Sequence, residues 1–314
     1  MVTEPDPELP PPPLGSVPAD VEVVVVGGTP SDDQLTGVQA LFVWDHRFSE
    51  LGPLLRRAHD VRWVHAASVG VNRLLCPEVR RVTLTNSRGV FDVPIAEWVI
   101  AAVLSHVKGL AETWSRQREH RWQYRTTGRL AGRRAAVLGT GSIGRAIAER
   151  LRRLDVSVTL VGRTAGVDPH FGAIRPSDDL VTVAAEADVL VLAAPLTPAT
   201  TALVGADVLE ALGPQGFLVN VGRGPTLVEH ELVEALRAGA IAGAALDVFE
   251  VEPLPVDSAL WSMPNVLVSP HVSGDYIGFD ADMVAVFTDN LNRWLRGEPL
   301  VNVVDPDLGY VSSR

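Results

Sequence analysis

Six residues, Gly139-Thr140-Gly141-Ser142-Ile143-Gly144, separate the apolar run Ala135 to Leu138 from a segment with Ala146, Ile147 and Leu151 at helical spacing. A strand that turns directly into a helix needs a residue for the tight turn, which Gly139 supplies. It also needs a point where backbone can approach a bound pyrophosphate, at Gly141, and a site of close helix-on-strand packing, at Gly144. The first amides of the helix then face the phosphates with a partial positive charge. Glycines at this spacing serve as a structural turn elsewhere; between this strand and this helix they predict a βα unit that binds a dinucleotide.

The rest of the chain repeats that unit. Short β-branched or aromatic runs at 21–26, 41–44, 63–66 and 82–85 alternate with turn-rich or helical segments. A second series of strands follows at 135–138, 156–161, 189–193, 217–221, 241–246 and 266–269. Near-continuous apolar strands indicate parallel sheets covered on both faces. At 314 residues the chain exceeds one comfortable core. The expected fold class is therefore α/β, with two doubly wound parallel-sheet domains. A Rossmann domain at 94–280 is inserted in a discontinuous flavodoxin-like domain made of 21–93 and 281–314. Residues 1–20, with prolines at 10–13, read as a flexible tail. A long helix begins near Asp92 with Pro94 in its first turn. Its broad apolar run (Ile95, Trp98, Val99, Ile100, Val103, Leu104, Val107) predicts burial against another domain or subunit. Gln117 to Arg134 reads as a connector, and a last helix over 281–295 leads back to the first domain.

Net charge is −11, which disfavours nucleic acid and anionic membranes as partners and means that an anionic ligand must be held by local positive charge. Cys76 is the only cysteine, which fits a reducing cytoplasm. No apolar run approaches the roughly 20 residues needed to span a bilayer, and no metal-ligand spacing is present.

A dinucleotide fold that selects NAD carries an acid at the end of its second strand to hold the ribose 2′-hydroxyl. Here that strand ends Leu160-Val161-Gly162-Arg163-Thr164. A guanidinium and a hydroxyl suit a 2′-phosphate, so NADP(H) is favoured over NAD(H); the other reading of Arg163 is a solvated surface residue. Three charged residues then follow three successive strands: Arg223, Glu252 and His271. Beyond the carboxyl ends of parallel strands they would line the ligand crevice. There they form an anchor for a carboxylate plus a proton-transfer pair.

Taken in order, the glycine fingerprint, Asn220-Val221-Gly222-Arg223-Gly224, Leu246-Asp247-Val248-Phe249-Glu250-Val251-Glu252-Pro253-Leu254 and Ser269-Pro270-His271 resemble the D-isomer-specific 2-hydroxyacid dehydrogenase family. The resemblance extends to Ala67-Ser68-Val69-Gly70-Val71 and to the segment from Asn290 to Leu300. It implies that Arg223 holds the substrate carboxylate and polarises the carbonyl, that His271 is the general acid in reduction, and that Glu252 is its partner. The acid lies five residues after the aspartate of its motif, which selects Glu252 over Glu250. A neighbouring carboxylate favours the imidazolium form and keeps a proton at hand near neutral pH. The same resemblance places Ser68, Val69 and Gly70 on the substrate carboxylate. It places Gly139, Gly141, Ser142, Ile143, Gly144, Arg163, Thr164, Pro195, Thr197, Val221 and Asp247 on the cofactor.

The substrate is less legible. Trp44 follows the second strand and is expected to border the pocket, favouring a small acid or an apolar side chain. With the NADP signature, reduction of a small 2-keto acid of the glyoxylate or hydroxypyruvate type is the best match. Phosphoglycerate dehydrogenases favour an acid where Arg163 stands, and formate dehydrogenases carry glutamine where Glu252 stands. The alternative is a non-enzymatic, NAD(P)-sensing corepressor-like protein on the same fold. A homodimer built on the long helix after Pro94 fits the burial pattern and the family habit.

Overall fold

The computed structural model describes residues 2–3, 14, 17–26, 29–45 and 47–311. They form two compact units, Met1–Phe91 with Tyr276–Arg314, and Asp92–Asp275. The sequence puts these breaks at 93/94 and 280/281; they fall earlier because helix and turn begin before the proline and apolar signals.

The first unit contains β1 (Val2–Thr3), β2 (Val25–Val26), α1 (Asp32–Leu35), β3 (Ala40–Val43), α2 (Leu51–Arg57), β4 (Trp63–Ala66) and β5 (Thr83–Asn86). These five strands pair in parallel with one another, in the order β2-β1-β3-β4-β5, the flavodoxin-like arrangement. Ser31 and Gln34 close a capping box on α1.

Two expectations are corrected here. The segment 1–20 is not wholly a tail, because Val2–Thr3 pairs on one side with β2 and on the other with β3. Two β-branched residues suffice when both edges supply partners, but they are too few to show a period. Leu14 and Val17 also pack on this unit's aromatic cluster, whereas the proline run at 10–13 lies outside the described residues. Trp44, expected beside a pocket, is 3% exposed and belongs to that same cluster. Its ring meets Phe42 edge-on, at 5.7 Å between centroids. An indole continuing the apolar line of a strand gains more by burial than by bordering a solvated cleft.

The second unit runs α3 (Asp92–Lys108), α4 (Leu110–Arg118), β6 (Arg134–Leu138), α5 (Ser142–Arg152), β7 (Ser157–Gly162), β8 (Gly166–Asp168), β9 (Gly172–Pro176), α6 (Leu180–Ala185), β10 (Val189–Leu192), α7 (Ala206–Leu212), β11 (Phe217–Asn220), α8 (Glu229–Ala238), β12 (Gly243–Leu246) and β13 (Val266–Val268). Its eight strands are ordered β13-β12-β11-β10-β6-β7-β9-β8, parallel except for β8 against β9. The order reverses at β6, the strand before the glycine fingerprint, so a crevice opens there between β6 and β10.

Only part of the apolar run of α3 is covered within this unit, since Trp98, Ile100 and Leu104 stay half-buried. Ile95, Ala96, Val99, Ala102, Val103 and Val107 are buried within this unit, where α3 packs on α5 and β11. The connector is helical at its start, since α4 reaches Arg118. Gly109, at φ +59°, breaks α4 from α3. The chain then returns to the first unit as α9 (Phe279–Leu295). Phe287 of that helix stacks on Phe42 at 4.4 Å and on Trp63 at 5.3 Å between centroids. No single helix among the described residues is long and apolar enough to cross a membrane.

Candidate active site

The glycine loop is shaped by what each glycine excludes. Gly139 adopts φ +127°, and a Cβ there would lie 2.7 Å from the Ala193 carbonyl oxygen. At Gly144 a Cβ would meet the Gly139 oxygen at 2.0 Å, so α5 could not pack so close to β6. Gly141 differs, because a Cβ there would meet nothing within 4 Å. It faces open space at the N-terminus of α5, and no side chain caps that helix. An uncapped helix start beside open backbone is what a pyrophosphate requires, so the residues present fit a dinucleotide.

Ser142 and Ile143 begin α5, and the Ser142 hydroxyl donates to Asp92 at 3.0 Å. Arg163 and Thr164 form an exposed turn after β7. Pro195 and Thr197 follow β10; the Thr197 hydroxyl pairs with Thr200 at 3.1 Å, and Thr200 donates to the Pro195 carbonyl at 2.7 Å. Val221 is buried directly after β11.

Arg223, Glu252 and His271 leave the carboxyl ends of the adjacent strands β11, β12 and β13. His271 Nδ1 lies 2.9 Å from Glu252 Oε2, and the two side chains keep 32% and 26% of their surface exposed. The other oxygen, Glu252 Oε1, accepts from the Phe249 amide at 3.0 Å, which fixes the carboxylate's orientation. Partial burial pushes the Glu252 carboxyl up. The hydrogen bond and charge of His271, the Phe249 amide and the Arg223 guanidinium outweigh it and hold the carboxyl below its usual range. Arg223 donates through Nη1 to the Gly222 carbonyl at 2.7 Å. Asn220 braces this turn, accepting from the Gly222 amide at 3.1 Å and donating to the Arg223 carbonyl at 3.2 Å. Gly224 is obligatory, since a Cβ would fall 1.8 Å from the Phe249 carbonyl oxygen in the neighbouring loop.

Asp247 is fully buried. Its carboxylate accepts from the Ser269 hydroxyl (2.7 Å) and from the Val272 (2.9 Å) and Ser273 (3.0 Å) amides. Its visible work is to pin the turn that carries His271, a residue at φ +58°. Glu250 also has a role that motif spacing did not show. It accepts from the Glu229 amide at 2.9 Å, at the start of α8, while Glu229 accepts from the Glu250 amide at 3.2 Å. This reciprocal pair ties the Glu252 loop to α8. No sequence period signals it, because its members are 21 residues apart.

In the first unit, Ser68, Val69 and Gly70 follow β4. The Ser68 hydroxyl donates to the Gly70 carbonyl at 2.9 Å, and the Asn86 amide to the Val69 carbonyl at 2.7 Å. His65 is buried between Thr85 and Ser87, and His106 stacks on Phe217 at 4.0 Å. His46 lies outside the described residues.

Comparison with known proteins identifies the family. Residues 100–273 match the model of the D-isomer-specific 2-hydroxyacid dehydrogenase NAD-binding domain. A hydroxyphenylpyruvate reductase from Plectranthus scutellarioides is 34% identical over 246 residues, covering 77% of each chain. A D-isomer-specific 2-hydroxyacid dehydrogenase from Xanthobacter autotrophicus Py2, solved with NADPH, is 33% identical with a TM-score of 0.80 over 91% of both chains. An NADPH-dependent glyoxylate/hydroxypyruvate reductase from Sinorhizobium meliloti, solved with NADP, is 28% identical with a TM-score of 0.80 over 91% of this chain and 92% of that one. The chain belongs to the D-isomer-specific 2-hydroxyacid dehydrogenase family.

Proposed function

We propose that this protein reduces a small 2-keto acid, of the glyoxylate or hydroxypyruvate type, to the D-2-hydroxy acid with NADPH. The observation that carries the reading is the His271–Glu252 contact of 2.9 Å, with the Arg223 charge felt at Glu252. The bound nicotinamide would supply the hydride. Arg223 would hold the substrate carboxylate and carbonyl, its planar fork matching two oxygens at once. Glu252, kept ionised, orients the imidazole through Nδ1. Nε2 is then the nitrogen that hands a proton to the carbonyl oxygen. The Ser68–Gly70 loop would add amides for the carboxylate, and Arg163 with Thr164 would hold the 2′-phosphate.

The S. meliloti relative supports a small acid and NADPH; the P. scutellarioides relative is named for an aromatic one. With Trp44 in the core, pocket size no longer argues between them. A homodimer, built on α3, where Trp98, Ile100 and Leu104 stay half-buried, and on α4 and the connector after it, completes the reading. Trp114, Trp122 and Tyr124 are exposed there at 54%, 102% and 88%.

The test is oxidation of NADPH, and separately NADH, against glyoxylate, hydroxypyruvate, pyruvate and an aromatic 2-keto acid. Rapid NADPH loss with a small acid is expected. His271→Ala should lower the rate by about 10²–10⁴-fold. Full activity in that variant would refute the proton-transfer role. An NADPH preference unchanged in Arg163→Asp would refute the cofactor assignment.

A further inference from the structure

Away from Arg223, Glu252 and His271, an ion pair between a buried carboxylate and a partly exposed guanidinium joins the glycine loop to the β8–β9 hairpin. Asp168, the last residue of β8, has no exposed side-chain surface. Its Oδ1 accepts from the His170 amide at 2.8 Å and the Phe171 amide at 3.1 Å, closing the turn into β9. Its Oδ2 pairs with Nη1 of Arg145. Arg145 is the residue after Gly144, and its Nε donates to the Thr140 carbonyl at 2.9 Å inside the glycine loop. One guanidinium therefore grips the loop with one nitrogen and the hairpin with another.

Between these grips lies the exposed turn Arg163-Thr164-Ala165. Its near end, Gly162, is wedged so that a Cβ would lie 3.0 Å from Ile174 Cγ2 and 3.1 Å from Thr140 Cγ2. Its far end, Gly166, lies over the same isoleucine, with Cδ1 at 3.9 Å from the Cβ position. Both ends of the turn thus rest on β9, and the hairpin rests on the loop through Asp168 and Arg145. A carboxylate removed from water is costly unless a charge and hydrogen bonds meet it. This one has all three partners, so the docking has a single geometry.

The loop would take the pyrophosphate and the turn the 2′-phosphate of one molecule. We propose that Arg145 and Asp168 are positioning residues for nucleotide selection, docking the Arg163–Thr164 turn at the distance from the glycine loop where one NADPH engages both. This rests on the NADPH reading above. NADH has no 2′-phosphate and does not sense that distance, so the two nucleotides should respond differently.

The experiment compares wild type with Asp168→Asn, which keeps the acceptor for the two turn amides, and Arg145→Met, which keeps the stem at a partly exposed helical position. Dissociation constants and KM are measured for both nucleotides. NADPH binding should weaken about tenfold in each variant, the order of one charge-assisted hydrogen bond. NADH binding should be unchanged in Asp168→Asn and should weaken less than NADPH binding in Arg145→Met, which also loses the Thr140 contact. Parallel weakening of both nucleotides, or no change in either, overturns the inference. If Asp168→Asn does not fold, Arg145→Met decides alone. A wild type that binds NADH as tightly as NADPH overturns the cofactor reading and this inference together. A preference abolished by Arg163→Ala but retained in both pair variants overturns only the inference.

Discussion

Gly224→Ala would place a methyl carbon 1.8 Å from the Phe249 carbonyl oxygen, whereas real contacts of this kind stay beyond 3.0 Å. The two loops must therefore part by about 1.2 Å, since neither carbonyl nor Cβ can yield. Arg223 is the immediate neighbour of the new methyl, and Glu252 hangs from the Phe249 amide at 3.0 Å. The parting thus falls between Arg223, the proposed carboxylate anchor, and the proposed proton-transfer pair. A misplacement near 1 Å can cost about 10²-fold in rate, while overpacking costs about 1–3 kcal/mol of stability. The glycine loop is not involved, so nucleotide binding should stay near wild type. The assay is kcat/KM for the keto acid beside a thermal melt and a nucleotide titration. A folded variant whose kcat/KM stays within about threefold of wild type would refute the claim that this close approach sets the site.

Two further predictions concern the whole protein. Burial pushes the His65 imidazole down to about 3 from 6.5, so below 6.5 the unfolded chain binds the proton and the folded one does not. That contribution to stability is complete above 6.5 and is lost as pH falls towards 3. From about pH 7 to about pH 5, denaturant unfolding should show wild type losing about 2 kcal/mol relative to His65→Gln; parallel pH profiles would refute it. If the exposed aromatics of α4 and its connector meet a second copy, Trp122→Ala should weaken dimerisation by at least about 30-fold. Light scattering across a dilution series reads this, and an unchanged mass at every concentration would refute that interface.

The alternation of strands and helices was visible because β3 to β7 and β10 to β13 are apolar enough to be recognised singly, and the glycine spacing marked where the crevice opens. That Arg223, Glu252 and His271 would gather at one end of a sheet follows from their places after successive parallel strands. Which oxygen faces which nitrogen does not follow. It depends on the Phe249 amide and on Asp247, whose partners Ser269, Val272 and Ser273 carry no pattern. Val2–Thr3 was missed because two residues have no period. That α5 returns to cover one side of α3, while Trp98, Ile100 and Leu104 stay half-buried, has no sequence signal. The β8–β9 hairpin escaped notice because its strands are short and glycine-bearing, and what holds it is an ion pair from a neighbouring helix.

The left-handed backbone at His271 has a consequence of its own. Side chains other than glycine enter that region with difficulty, and asparagine, aspartate and histidine do so most readily. The turn itself is held by Asp247 through Ser269, Val272 and Ser273, none of which needs the imidazole. Architecture and chemistry are thus separable at this position. A single-nucleotide change from histidine to asparagine would leave the turn, the fold and the dinucleotide cradle standing while removing the imidazole. If His271 is the proposed proton donor, the scaffold is one short step from a protein that binds its nucleotide without turning it over, and that step meets little resistance from stability.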